Sequence, residues 1–269
     1  MGNAADTTST TPSDLLKVAT VDRVLTVGLN RPAKRNALND GIILAIGECF
    51  ANLPDDIGAV VIHGIGDHFS SGLDLSELTE HDATEGLVHS QMWHRVFDRI
   101  QYSRVPVIAA LKGAVIGGGL ELACAAHIRV AEPSAYFALP EGQRGIFVGG
   151  GGSVRLPRLI GVARMTDMML TGRVYSATEG SAYGFAQYLT EPGGGLAKAM
   201  ELAERISANA PLTNFAVLQA LPMIAEANPQ TGLLMESLMA TVAQSDKEAK
   251  RRIRAFLEHK TAKVMPKTS

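Results

Sequence analysis

The sequence predicts an α/β core followed by a helical C-terminal segment. Three observations point there. Up to about residue 138, short Val-, Ile- and Ala-rich runs alternate with stretches whose apolar residues fall at helical spacing. After Gly193-Gly194-Gly195 only helical patterns remain. The length of 269 residues is enough for one large core carrying an appendage. Hydrophobic content of 46% and charged content of 19% are those of a soluble globular protein. The formal net charge of -2 argues against nucleic acid or an anionic membrane as the main partner. No apolar run approaches the roughly 18 residues of a membrane span, and the polar start is read as lacking a secretory h-region. Cys49 and Cys124 have no metal or disulfide spacing and read as small core residues of a reducing compartment.

In chain order, residues 1–14 are rich in Thr and Ser and are read as disordered. Val18 to Leu29 reads as two strands around Asp22-Arg23. A basic loop, Arg31 to Arg35, leads to Asn39 as N-cap of a helix through Leu53. Ala59 to Gly64 reads as a buried strand, and Ser70 to Leu75 as a tight loop. Residues 76–88, polar and interrupted by glycine, are expected to be mobile. Gln91 to Ser103 reads as a helix and Val105 to Leu111 as a buried strand. Short strands follow at Ile128 to Ala131 and Ala135 to Ala138, the second ended by Pro140-Glu141-Gly142. Helices are expected over 153–160 with a capped start, 163–171, 177–183, 196–209, 211–227, 231–243 and 246–260. No repeat of 20–50 residues is present.

The chain is organised around Gly113 to Cys124, GAVIGGGLELAC. Gly117, Gly118 and Gly119 let the backbone turn sharply into a helix whose first amides have no intrahelical acceptor. Such a terminus suits an anion, including an oxyanion present only in a transition state. Taken alone, the stretch fits equally a packing turn with Glu121 as partner of the helix dipole. The loop Ser71-Gly72-Leu73 is a second turn of the same kind after a buried strand. Glu121 and Glu141 each follow such a turn within apolar sequence. Two carboxylates beside an oxyanion pocket can hold one water, one acting as base while the other moves a second proton. The residues therefore favour acid–base chemistry on a carbonyl compound.

The segments Leu29 to Pro32 with Asn36-Ala37-Leu38, Phe69 to Leu75, Gly113 to Leu122, Pro140-Glu141, Gly151 to Gly161 and Ala255 to Glu258 resemble the crotonase superfamily, in its order and spacing over about residues 18–263. The resemblance implies a crotonase-type spiral of ββα turns over 15–195 and a helical trimerisation segment over 196–263. It further implies an acyl-CoA thioester substrate, a homotrimer or homohexamer (a dimer of trimers) and a cytoplasmic setting. It places the oxyanion hole at the amides of Leu73 and Gly118 and matches Glu121 and Glu141 to the two catalytic glutamates of the enoyl-CoA hydratase branch. Substrate contacts are implied at Lys34, Ala37, Ser71, Asp74, Leu75 and Gly117. No metal or cofactor is called for, coenzyme A being part of the substrate. His89 and His94, five apart, make a poor helical ligand pair and read as surface or packing residues.

Residues Ala138 to Phe147 are most similar to methylthioacryloyl-CoA hydratases of dimethylsulfoniopropionate degradation, which also hydrolyse the thioester and release methanethiol, acetaldehyde, carbon dioxide and CoA. The alternative within the family is a general short-chain 2-enoyl-CoA hydratase of fatty-acid or amino-acid catabolism. An RNA-binding relative would want a lysine-rich helix face, which the short clusters at 31–35 and 247–254 do not supply. A catalytically inactive relative is disfavoured by the intact glutamate pair. The sequence departs from the family in having His259 before Lys260, where a lysine meets a CoA phosphate, and Leu73 where alanine is usual.

Overall fold

A computed structural model describes residues 12–77 and 82–258. It divides into a unit ending at Ser207 and a second unit beginning at Ala208. It displays the mixed α/β architecture with a helical C-terminal region that the sequence leads one to expect.

The first unit begins with a helical turn, α1 (Pro12–Leu15), so the part of the expected disordered start from Pro12 on is ordered, and residues 1–11 lie outside the described residues. Strands β1 (Leu16–Val21) and β2 (Val24–Leu29) form a hairpin, with Asp22 at a φ of 50° in its turn. Helix α2 (Asp40–Ala51) starts at Asn39, whose side chain accepts from the Ile42 amide. Then come β3 (Ala59–Gly64), α3 (Ala83–Gln101), β4 (Val107–Leu111), β5 (Ala114–Ile116) and α4 (Gly118–Ala125). The remainder is β6 (Ile128–Ala131), β7 (Tyr136–Ala138), α5 (Gly152–Ile160), α6 (Val162–Thr171), β8 (Tyr175–Ser176), α7 (Ala177–Tyr183), β9 (Tyr188–Leu189) and α8 (Gly195–Ser207).

The larger sheet has the order β1-β2-β3-β4-β6-β9, antiparallel at the hairpin and parallel elsewhere. The smaller sheet, β5-β7-β8, pairs β5 with β7 in parallel. Every residue of β4 is buried. Val107, Ala109 and Leu111 join the main core, while Ile108 and Ala110 pack with Ala199, Leu202 and Ala203 of α8. A strand covered on both faces has no polar alternation, which is why this stretch reads as a continuous apolar run.

Three expectations are corrected in this unit. Residues 83–88 are not mobile: Asp82 accepts from the amides of Thr84 and Glu85, and Glu85 returns the bond, so a capping box extends α3 upstream. Residues 78–81 of that stretch lie outside the described residues. The core ends at Ser207 rather than 195, because α8 covers the second face of the sheet. Helix α5 has no side-chain cap of its own; its leading amides serve another purpose described below.

In the second unit the helix expected over 211–227 is broken into α9 (Pro211–Phe215), a π turn at Ala216–Ala220 and α10 (Leu221–Glu226). Pro222 lacks the N–H that would bond the Leu218 carbonyl, and its ring crowds that carbonyl, so the turn before it widens. Helices α11 (Pro229–Ser245) and α12 (Lys247–Leu257) complete the unit; α12 is capped by Asp246.

Candidate active site

The β5–α4 junction sets the site. The Gly117 amide donates to the Ala138 carbonyl at 3.0 Å, and its backbone has φ 52° and ψ −125°, a conformation for glycine. A Cβ there would lie 2.5 Å from Glu141 Oε1, so the absent side chain is what lets Glu141 lie over the turn. Helix α4 then begins at Gly118, whose N–H has no acceptor among the described residues.

The loop after β3 arrives against this turn. The amides of Ser70, Ser71, Gly72 and Asp74 donate to Ala114 O, Arg35 O, Ser70 Oγ and Leu38 O. Among the amides from Ser70 to Asp74, only that of Leu73 has no acceptor among the described residues. A Cβ on Gly118 would sit 3.6 Å from the Leu73 nitrogen, and one on Gly72 would sit 3.2 Å from the Gly118 nitrogen. Two unused amides from separate loops are thus neighbours.

Glu121, in the first turn of α4, is 4% exposed. Its Oε1 accepts from the amides of Gly150 at 2.9 Å and Gly152 at 2.7 Å. Helix α5 starts at Gly152, so Glu121 supplies the cap that α5 lacks, and the positive end of that helix faces the carboxylate. Arg155 holds the donor loop: its Nη1 donates to Gly150 O at 3.0 Å, Nη2 to Asp98 at 2.6 Å and Nε to Gln101 at 2.6 Å. Burial raises the Glu121 pKa, opposed by the amides of Gly152 and Gly150 and by the Arg155 charge.

Glu141 is also buried, at 8% exposed, but its Oε2 has no hydrogen-bond partner among the described residues. Burial pushes its pKa up to about 7, the nearby Glu121 charge adding to this and Arg144 opposing it. Burial thus pushes both carboxylates up; at Glu121 the two amides and the Arg155 charge oppose that push, whereas Glu141 Oε2 has no donor among the described residues.

Both glutamates, with Ser71, Leu73, Asp74, Leu75, Gly117 and Gly118, line one cavity of about 570 Å³. Trp93 of α3, Arg144, Ile146 and Phe147 contribute to its wall. Lys34 and Ala37 are not on that wall. The Lys34 ammonium instead donates to Asp74 Oδ2 at 3.0 Å and Ser76 Oγ at 2.9 Å, and Ala37 is a buried residue whose carbonyl accepts from Arg31. Asp74 lines the cavity while its carboxylate is engaged by Arg31 and Lys34. His89 bonds Asp40 at 2.8 Å, lies against the Trp93 ring and lines the cavity. His259 and Lys260 lie outside the described residues.

Sequence reasoning missed the holders of Glu121. The signal was present: Gly149 to Gly152 immediately before a helix is the same kind of pattern as Gly117 to Gly119, with amides pointing at an anion. Trp93, packed against Gly118 within 2.8 Å of where a Cβ would stand, carried no comparable signal.

Comparisons with known proteins give the chain its relatives. The family model described as enoyl-CoA hydratase/isomerase matches residues 20–265. The chain is 35% identical to the 2,3-dehydroadipyl-CoA hydratase of Escherichia coli K12, over 91% of this chain and 96% of that protein. It is 32% identical to the short-chain-enoyl-CoA hydratase of Clostridium acetobutylicum, over 88% and 92%. A crystal structure of a provisionally assigned enoyl-CoA hydratase from Rhodopseudomonas palustris CGA009 is 80% identical, with a TM-score of 0.91 over 94% of this chain and 98% of that one. With a family model covering nearly the whole chain and relatives matched over most of their length, the chain belongs to the enoyl-CoA hydratase/isomerase family, on the crotonase fold, as a hydro-lyase.

Proposed function

We propose that the protein adds water across the 2,3 double bond of a short-chain enoyl-CoA thioester. The observation that carries this reading is the contrast between Glu121, held by two amides, and Glu141, buried with an unpartnered oxygen, in one cavity with two unused N–H groups. The thioester oxygen sits at the Leu73 and Gly118 amides. Glu121 takes a proton from water as the water oxygen bonds Cβ. The π electrons move onto the thioester oxygen, where the two donors and the start of α4 stabilise the charge. The enolate then collapses, and Cα takes the proton of Glu141. Proton transfer from Glu121 to Glu141, directly or through solvent, restores the starting state.

The pH dependence follows. Glu141 delivers a proton, so it must hold one; as pH rises through about 7 it loses it. The kcat/KM for hydration should therefore fall on the alkaline side with an apparent value near 7, and Glu141→Gln should remove that limb from its residual rate. A wild-type profile flat to pH 9 would contradict the assignment.

Within this activity we propose methylthioacryloyl-CoA as the acyl group, with thioester hydrolysis following hydration. The support is the resemblance of Ala138 to Phe147, a segment that includes Glu141, Arg144, Ile146 and Phe147 of the cavity wall. Purified protein offered methylthioacryloyl-CoA, crotonyl-CoA and longer enoyl-CoAs, with double-bond loss and free CoA thiol followed separately, tests it. A kcat/KM highest on methylthioacryloyl-CoA, with CoA released, is expected. Preference for crotonyl-CoA without thiol release would leave the general hydratase.

We further propose that the helical segment assembles the protein as a trimer or hexamer. Leu221, Leu233, Leu234, Leu238 and Phe256 are each more than half exposed, a density of apolar surface that association would bury. Leu218, expected among them, is already buried. Light scattering at micromolar concentration should give three or six times the 28.5 kDa chain mass, and a monomer would refute the proposal.

A further inference from the structure

Resting on the hydratase reading, we infer that Asp74 is a positioning residue that holds the Leu73 amide in the oxyanion hole. The Leu38 and Leu73 segments form a parallel bridge: Leu38 N donates to Gly72 O and Asp74 N to Leu38 O, each at 2.8 Å. The residues on either side of Leu73 are thus fixed to one partner, which leaves the Leu73 N–H directed away from it. Upstream of Leu73 the loop is already anchored, Ser71 N donating to Arg35 O and Ser70 Oγ to Asn36 O, so what remains to be locked is the chain on its downstream side. Asp74 supplies the lock. Its buried carboxylate receives Arg31 Nη2 at 2.9 Å and Lys34 Nζ at 3.0 Å, both from the loop before Leu38. Its other oxygen accepts from the Ser76 amide at 3.1 Å and the Ser76 hydroxyl at 2.6 Å, which turns the chain away just after Leu73.

Lys34 and Asp74 therefore act on each other, rather than serving as independent substrate contacts. Arg31 also donates to the Ala37 carbonyl at 3.0 Å, so the same guanidinium ties Asp74 to the strand that pairs with Leu73. Burial would raise the Asp74 pKa, but the bonds from Ser76, Lys34 and Arg31 outweigh it and hold the carboxylate ionised well below the usual range. The lock stays closed across the pH range in which the glutamates work. Displacing a preorganised donor by about an ångström removes most of its benefit in the transition state, while ground-state binding through the rest of the site persists.

The test compares wild type, Asp74→Ala and Asp74→Asn by kcat and KM on crotonyl-CoA. A direct probe of the hole accompanies it: the near-ultraviolet absorbance of bound acetoacetyl-CoA, whose enolate forms when two donors meet its thioester oxygen. Asp74→Ala should lose about 10²-fold in kcat per folded subunit, with KM within about threefold, and should lose the enolate band. Asp74→Asn, which retains an acceptor for Ser76 but not the charge pairs, should fall between. Should Asp74→Ala not fold, Asp74→Asn decides on the same readouts. Turnover per folded subunit within threefold of wild type, or a loss confined to KM, would overturn the positioning role. If wild type itself neither hydrates crotonyl-CoA nor enolises acetoacetyl-CoA, it is the hydratase reading that falls. If wild type does both and the variants match it, only the Asp74 assignment falls.

Discussion

Glu121→Gln and Glu141→Gln should each hydrate an enoyl-CoA about 10²–10⁴-fold more slowly than wild type, the range for a positioned acid or base. The amide at 121 preserves shape and still accepts from Gly150 and Gly152 through its carbonyl oxygen, but it cannot take the proton of the attacking water. At 141 the amide fills the same buried space and has no acidic proton to give to Cα. The two residues work on one water, so the double variant should be little slower than the worse single one. The acyl-CoA Kd should change little, because the change is confined to the reacting end. Thioester hydrolysis, if it uses the same glutamates and the same hole, should fall with hydration. Either single variant within about threefold of wild type would mean the shared-water mechanism is wrong.

Gly118→Pro should abolish turnover in a folded subunit, because it deletes one of the two donors at the thioester oxygen. Loss of a single such donor costs about 3–4 kcal/mol of barrier in well-studied enzymes, some 10²–10³-fold in kcat. Proline is tolerated at the first helical position, where its missing N–H breaks no helix bond. Any side chain at 118 also approaches Trp93, with 2.8 Å between a Cβ and the ring. Gly118→Ala is therefore the necessary control: it carries the same crowding and keeps the N–H. The kcat of Gly118→Pro should lie at least about tenfold below that of Gly118→Ala. Equal rates would assign the whole effect to crowding and remove Gly118 from the oxyanion hole.

Much of this site was legible in the sequence because its determinants are local. Gly117 to Gly119 before Leu120 announces a turn into a helix, and the helix does start there, at Gly118. Asn39 reads as an N-cap from its position alone, and its side chain is bonded to Ile42. What could not be read depends on residues far apart in the chain. The groups that oppose the effect of burial at Glu121 are Gly150, Gly152 and Arg155, some 30 residues downstream of it. Lys34, implied by the resemblance as a substrate contact, is brought by the fold to Asp74, forty positions away. The segment 83–88 has a polar, glycine-interrupted composition, and the capping box at Asp82 and Glu85 outweighed it. The end of the core was misjudged because α8 looks like the helices that follow it, and only the second apolar face of β4 reveals where it belongs.

The central claim, that this cavity adds water to a conjugated thioester, is tested most directly by isotope placement. Wild-type protein is given crotonyl-CoA once in H₂¹⁸O and once in D₂O, and the acyl product is analysed by mass spectrometry and NMR. The account predicts 3-hydroxybutyryl-CoA bearing one ¹⁸O on C3 in the first solvent and one deuterium on C2 in the second, with both labels lost to background in Glu121→Gln and Glu141→Gln. Deuterium exchange or double-bond migration with no oxygen at C3, or ¹⁸O found only in a released carboxylate, would contradict it.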